Sequence, residues 1–143
     1  MPGVFGRFDN TQNQSVIARN IGLLPSTAPA SDATAGNITY TVAQFLGGII
    51  VRDPNGAGRT DTLPTAAALV AAIPKVAVGE VRYCTLINGA DAAEAITLSA
   101  GTGGSFDANQ TASSRVCPQN SQKQIYVRFT NVTPGSEAYV VYF

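Results

Sequence analysis

Arg52, Asp53, Asn55, Gly56, Gly58, Arg59 and Asp61 fall within ten residues, in the stretch "GGIIVRDPNGAGRTDTLPTAAALVAAIP". A glycine-rich turn between an apolar strand and a helix is where backbone amides and a helix N-terminus hold phosphate. A P-loop also requires GxxxxGK followed by Ser or Thr, because the lysine reaches the terminal phosphates and the hydroxyl holds magnesium. Here Gly56 and Gly58 lead into Arg59-Thr60-Asp61, with no lysine. A dinucleotide fingerprint requires a third glycine where strand meets helix, and this chain has Asp61 there, with Leu63-Pro64 before the helix. Both chemistries therefore lack a residue they depend on. The stretch reads as a turn, with Pro54 fixing φ and Asn55-Gly56 admitting a left-handed reversal. Arg52 or Arg59 then pairs with Asp53 or Asp61 across the loop mouth, a surface pair of about 0–1 kcal/mol. The alternative is that Arg52, Arg59 and Asp61 meet a partner's surface.

Other chemistries fare no better. The chain has no histidine, so its commonest general base and metal ligand are missing and no Ser-His-Asp or Cys-His site is available. Asp91 and Glu94 in "NGADAAEAI" are close enough for a carboxylate pair of the glycosidase kind, but beside an Asn-Gly turn they read as a solvated loop. Asp53, Asp61 and Asp107 lack the DxDxDG spacing of a calcium loop. Cys84 and Cys117 are far apart and read as two buried free thiols, a disulfide being the alternative. Four Asn-x-Ser/Thr sequons, at Asn13, Asn37, Asn109 and Asn131, are what chance gives a chain rich in these residues. The expectation is no enzyme, with no catalytic, cofactor-binding or metal residues assigned. Tyr40, Tyr83, Tyr126, Tyr139 and Tyr142 suit a core or a subunit interface; lining a sugar-binding groove is the alternative.

Composition points the same way. With 45% hydrophobic but only 13% charged residues, and nine basic against nine acidic, the chain projects no net field toward nucleic acid or an anionic membrane. Neither nucleic acid nor membrane is expected as a partner. The first residues lack a basic start followed by an apolar run, so no signal peptide is expected. Zero net charge also removes the repulsion that keeps monomers apart, which suits a molecule whose working state is an assembly.

The elements that must position these residues are mostly strands. Residues 1–36 read as an arm and linker, polar except for the apolar group at Ile21, Leu23 and Leu24, with the compact domain at 37–143. Period-two patterns place strands at 38–43, 45–52, 78–87, 94–99, 113–117, 123–131 and 137–143. In the sixth, Ile125, Val127 and Phe129 share one face while Tyr126, Arg128 and Thr130 share the other, as in a half-buried antiparallel strand. Turns at Asn88-Gly89, Gly101 to Gly104 and Pro134-Gly135 are expected to supply positive φ or a fixed proline φ. One short helix interrupts, with Ala66, Leu69, Val70 and Ile73 forming an apolar stripe, Thr62 or Thr65 as N-cap and Pro74 as the stop. Together these predict an all-β antiparallel sandwich, of jelly-roll type, with one short helix. Its contact residues are expected at Tyr126, Arg128, Tyr139 and Tyr142, with the arm around Ile21, Leu23 and Leu24.

Residues 38–143 also carry a longer pattern: "YTVAQFLGGIIVRDPNGAGRTDTLPTAAALVAAI", "INGADAAEAITLSAGTGGSF" and "VRFTNVTPGSEAYVVYF". It resembles a group of small virion-associated proteins of large double-stranded DNA viruses and tailed phages, with the same RDP turn, R-T-D-T-L-P-T helix start and T-N-V-T-x-G-S-E-A ending. The resemblance implies a β-sandwich or jelly-roll protein of the virion, a minor capsid, decoration or fibre-head component that forms a homotrimer and binds other capsid proteins. A carbohydrate- or receptor-binding module on the virion surface is the alternative. Cys84, Cys117 and the Asn/Gln-rich arm depart from the pattern.

Overall fold

The computed structural model describes residues 29–143. The arm residues Ile21, Leu23 and Leu24 lie outside the described residues. Among these residues nine strands form two sheets, with two short α-helices interspersed along the chain. In chain order the strands are β1 (Ala30–Asp32), β2 (Ile49–Arg52), β3 (Arg59–Thr62), β4 (Val81–Asn88), β5 (Ile96–Ser99), β6 (Gly104–Phe106), β7 (Val116–Cys117), β8 (Gln122–Asn131) and β9 (Ala138–Tyr142). The larger sheet has the order β1-β2-β4-β8-β9-β6 and the smaller β3-β5-β7. Ala30–Asp32 belongs to the stretch read as linker, yet it pairs with β2 along its whole length.

The sheets are mixed, which corrects the antiparallel expectation. β4-β8, β8-β9 and β5-β7 are antiparallel, while β1-β2, β2-β4, β3-β5 and β6-β9 run parallel. The longest pairing, Val81↔Arg128 through Ile87↔Gln122, follows from the strongest period-two pattern in the chain. Parallel pairs arise because connections through α1 (Val42–Leu46), α2 (Ala66–Ala72) and long loops carry the chain back in the same direction.

Among the described residues there are two α-helices where one was expected. The strand expected at 38–43 is an isolated bridge, Thr39↔Thr62, followed by α1. Thr41 and Gln44 form a capping box there: Thr41 Oγ1 accepts the Gln44 N–H at 3.1 Å and Gln44 Oε1 accepts the Thr41 N–H at 2.8 Å. This T-x-x-Q spacing was readable in the sequence and outweighs the alternation around it. In α2, Thr65 is the N-cap, its Oγ1 accepting the Ala68 N–H at 3.2 Å, and Ala66 and Leu69 are buried. The strand expected at 113–117 is reduced to a 3-10 turn, Ser113–Arg115, and the two residues of β7.

One core joins both sheets and both helices. Leu86, Ile125, Val127, Phe129 and Val141 come from the larger sheet, Ile96, Leu98 and Cys117 from the smaller, and Phe45 and Leu69 from the helices. Burying a side chain such as Phe129 or Leu86 contributes about 1.5–3 kcal/mol, so the alternating positions of β4 and β8 set the register. Cys84 and Cys117 are both free and buried, and burial pushes the Cys84 thiol up to about 12.

Candidate functional site

The outer face of the larger sheet carries the surface most capable of recognition. Along β4, β8 and β9 the buried positions alternate with Val81, Tyr83, Thr85 and Ile87, then Gln122, Gln124, Tyr126, Arg128 and Thr130, then Val140 and Tyr142. Pairing of Tyr83 with Tyr126 and of Tyr126 with Tyr142 sets three tyrosines in one row across three adjacent strands. The Tyr83 and Tyr126 rings lie 6.2 Å apart at 43°, within the range of favourable aromatic pairs. Tyr126 Oη donates to Gln124 Oε1 at 2.6 Å, which orients the ring. Val81 and Tyr83 are each 45% exposed and Val78, just before β4, is 60% exposed. Arg128 is the one charge among these outward positions, opposite both Val81 and Val140.

Tyr126, Arg128 and Tyr142 thus lie together on the outer face, whereas Tyr139, also expected as a contact residue, does not. It is 1% exposed, opposite Phe129 on the inner face. Its Oη accepts the Gly101 N–H at 3.0 Å and donates to the Pro64 carbonyl at 2.9 Å, and burial pushes the hydroxyl up to about 12, so it remains a donor. Period two already forbids Tyr139 and Tyr142 from one face, a signal the tyrosine count obscured. Tyr139→Phe should leave two buried backbone groups without partners and lower stability by about 1–3 kcal/mol. Urea unfolding of the variant checks this, and an unchanged midpoint would refute the tyrosine's role as a pin.

The arginine-aspartate pair is also placed differently from expectation. Arg52 and Asp61 are both fully buried, with Arg52 Nε 2.9 Å from Asp61 Oδ2. The reason is topological: β2 lies in the larger sheet and β3 in the smaller, so the pair spans the sheets. Around it Asp61 accepts from Tyr40 Oη at 2.9 Å and the Ile38 N–H at 3.1 Å. Arg52 donates to the carbonyls of Thr34 at 2.8 Å, Gly36 at 2.7 Å and Asp53. Burial, reinforced by the Asp61 carboxylate, pushes the Tyr40 hydroxyl far above the phenol range. Neither Arg52 nor Asp61 can meet a partner's surface. Arg59 is half-buried and closes the turn by donating to the carbonyls of Pro54 at 3.2 Å and Asn55 at 3.4 Å.

The turn itself forms as its residues require: Asn55 has φ 52° and Gly56 φ 97°. Its amides face carboxylates, with Asn55 N–H donating to Asp53 Oδ1 at 2.9 Å and Gly56 N–H to Glu94 Oε1 at 2.6 Å. Glu94 is thus buried, which corrects its reading as part of a solvated loop; Asp91 is exposed as expected. Comparison with known proteins found no matching family model, no matching curated protein and no matching solved structure.

Proposed function

We propose that this chain is a viral structural protein, a minor capsid, decoration or fibre-head component of the virion, that works by self-assembly and by binding other capsid proteins. Its two sheets pack as a β-sandwich related to the jelly roll, with the parallel pairs as its departure from that plan. The observation that carries the assembly reading is the row Tyr83, Tyr126 and Tyr142, flanked by exposed Val78 and Val81 and nearly free of charge. Interface cores are enriched in aromatic residues and depleted of charge, and rigid tyrosines lose little entropy on docking. The viral setting rests on the resemblance of residues 38–143.

In this reading copies of the chain meet through the outer face of the larger sheet to form a closed oligomer, a trimer, with Arg128 at its rim. Light scattering on a sizing column should give three chains per particle. Replacing Tyr83 and Tyr126 together with alanine should cost about 2 kcal/mol or more at the contact, roughly thirtyfold in dissociation constant. A wild-type monomer at every concentration sinks the reading.

A second reading draws on the same row. Three tyrosine faces with the Gln124 amide in the adjoining outward position suit stacking on sugar rings, with the amide as a hydrogen-bond partner. Glycan binding by a monomer, abolished in the Tyr83→Ala/Tyr126→Ala variant, would favour a carbohydrate- or receptor-binding module instead.

A further inference from the structure

β2 and β4 run parallel with Arg52 opposite Asn88, so the loops leaving their ends start side by side. Backbone bonds lock the loops together: Gly89 N–H donates to the Arg52 carbonyl and Arg59 N–H to the Ala95 carbonyl, both at 2.9 Å. The fully buried Asn88 amide braces the second loop, donating to the carbonyls of Glu94 at 2.7 Å and Cys117 at 3.0 Å, while its Oδ1 accepts the Ala90 N–H at 3.1 Å. This scaffold brings together Asp53 from one loop and Asp91 and Glu94 from the other, with one carboxylate oxygen of each within 4.8 Å of the others.

Two further observations point to a ligand. Among the described residues, the ion pairs formed by Arg and Lys leave all three carboxylates uncompensated. Glu94 is 5% exposed, and although its Oε1 accepts the Gly56 N–H, its Oε2 has no hydrogen-bond partner among the described residues. Native folds rarely bury a carboxylate oxygen without a donor or an ion to meet it.

We propose that Asp53, Asp91 and Glu94 form a Ca2+ site, in which the ion supplies the partner that Glu94 Oε2 lacks. An all-oxygen, anionic ligand set without histidine or cysteine selects a hard cation over zinc or copper. Calcium takes about six to eight oxygen ligands in flexible geometry and so accepts a carboxylate cluster completed by several waters, whereas magnesium demands a near-ideal octahedron and dehydrates reluctantly. Exposed Asp91 gives the ion a way in and leaves room for the waters that complete its shell. Bound there, Ca2+ clamps the turn after β2 to the loop after β4.

The test is calorimetric titration of calcium chloride into the chelator-stripped full chain, with thermal unfolding alongside. One ion per chain is expected, and a hundredfold excess over Kd should raise Tm by about 5–10 °C. Asp91→Asn alters an exposed side chain, so its metal-free Tm should stay within about 2 °C of the parent or rise, while Ca2+ affinity falls tenfold or more. Glu94→Gln should abolish both the binding heat and the Tm rise; if that variant does not fold, Asp91→Asn carries the test. Any one of three results overturns the site: no heat and no Tm rise at about 10 mM Ca2+, above the range of weak calcium modules; parental affinity in Asp91→Asn; or magnesium chloride matching calcium chloride.

Discussion

Arg52→Met should lower the stability of this protein by about 3–5 kcal/mol, a large share of the roughly 5–15 kcal/mol that a folded domain commonly has. The substitution removes the guanidinium that faces Asp61 at 2.9 Å and leaves that carboxylate buried without its cation. Asp61→Asn should cost a similar amount by stranding the arginine. Replacing both charges separates this network from a simple buried pair. An isolated buried pair is often replaced by apolar residues with no loss, because each charge was costly to desolvate. Here the carbonyls of Thr34, Gly36 and Asp53 depend on Arg52, and the Ile38 amide and Tyr40 hydroxyl depend on Asp61. The double variant Arg52→Met/Asp61→Leu should therefore stay about 3 kcal/mol or more below the parent, since each stranded polar group costs about 1–3 kcal/mol. Urea unfolding of the three variants decides it, and a double variant within about 1 kcal/mol of the parent would reduce the network to an ordinary ion pair.

Gly101→Ala is expected to be comparably severe, at about 2–6 kcal/mol, for want of space. A Cβ there would stand 2.4 Å from the Leu63 carbonyl oxygen and 2.6 Å from that of Pro64. Both are backbone atoms, so the segment entering α2 would have to move, at the roughly 1–3 kcal/mol of an overpacked core. That movement would also break the contact of Tyr139 Oη with the Gly101 amide and the Pro64 carbonyl, adding about 1–3 kcal/mol. Gly135→Ala is the control: its φ is 83° but a Cβ there meets nothing within 4 Å, so only about 1 kcal/mol of backbone strain is expected. Equal midpoints for the two variants in urea would show that room at Gly101 is not the constraint. From sequence the run Gly101 to Gly104 reads as a demand for positive φ; Gly103 meets that reading with φ 79°, whereas Gly101 does not appear among the positive-φ glycines.

How far the fold was legible can be followed through single residues. The buried Ile125, Val127 and Phe129 and the outward Tyr126 and Arg128 follow from alternation alone, as do the stripe and cap of α2. The T-x-x-Q box of α1 was equally local and was masked by the β-rich residues beside it. Strands β1, β3 and β6 escaped because each is short and, as ASD, RTDT and GSF, nearly without the large apolar residues whose alternation marks the equally short β2 and β5. The candidate surface was half legible: Tyr126 and Tyr142 could be assigned outward, but Tyr83 joins their row only once β4 is paired to β8.

By itself, then, the amino-acid order determined what depends on neighbouring dihedrals: the alternation of β4, β8 and β9, the 3.6-residue stripe of α2, and the left-handed reversal at Asn55-Gly56. Only the tertiary structure decided which strands pair and in which direction. That choice placed Arg52 and Asp61 in different sheets, facing each other in the core, and set Asp53 beside Asp91 and Glu94. The physical reason is range. Dihedral preferences act over a few residues, whereas the parallel pairing of β2 with β4 joins positions 36 apart in the chain, as Arg52 and Asn88 are, and is selected by the core the two sheets must share.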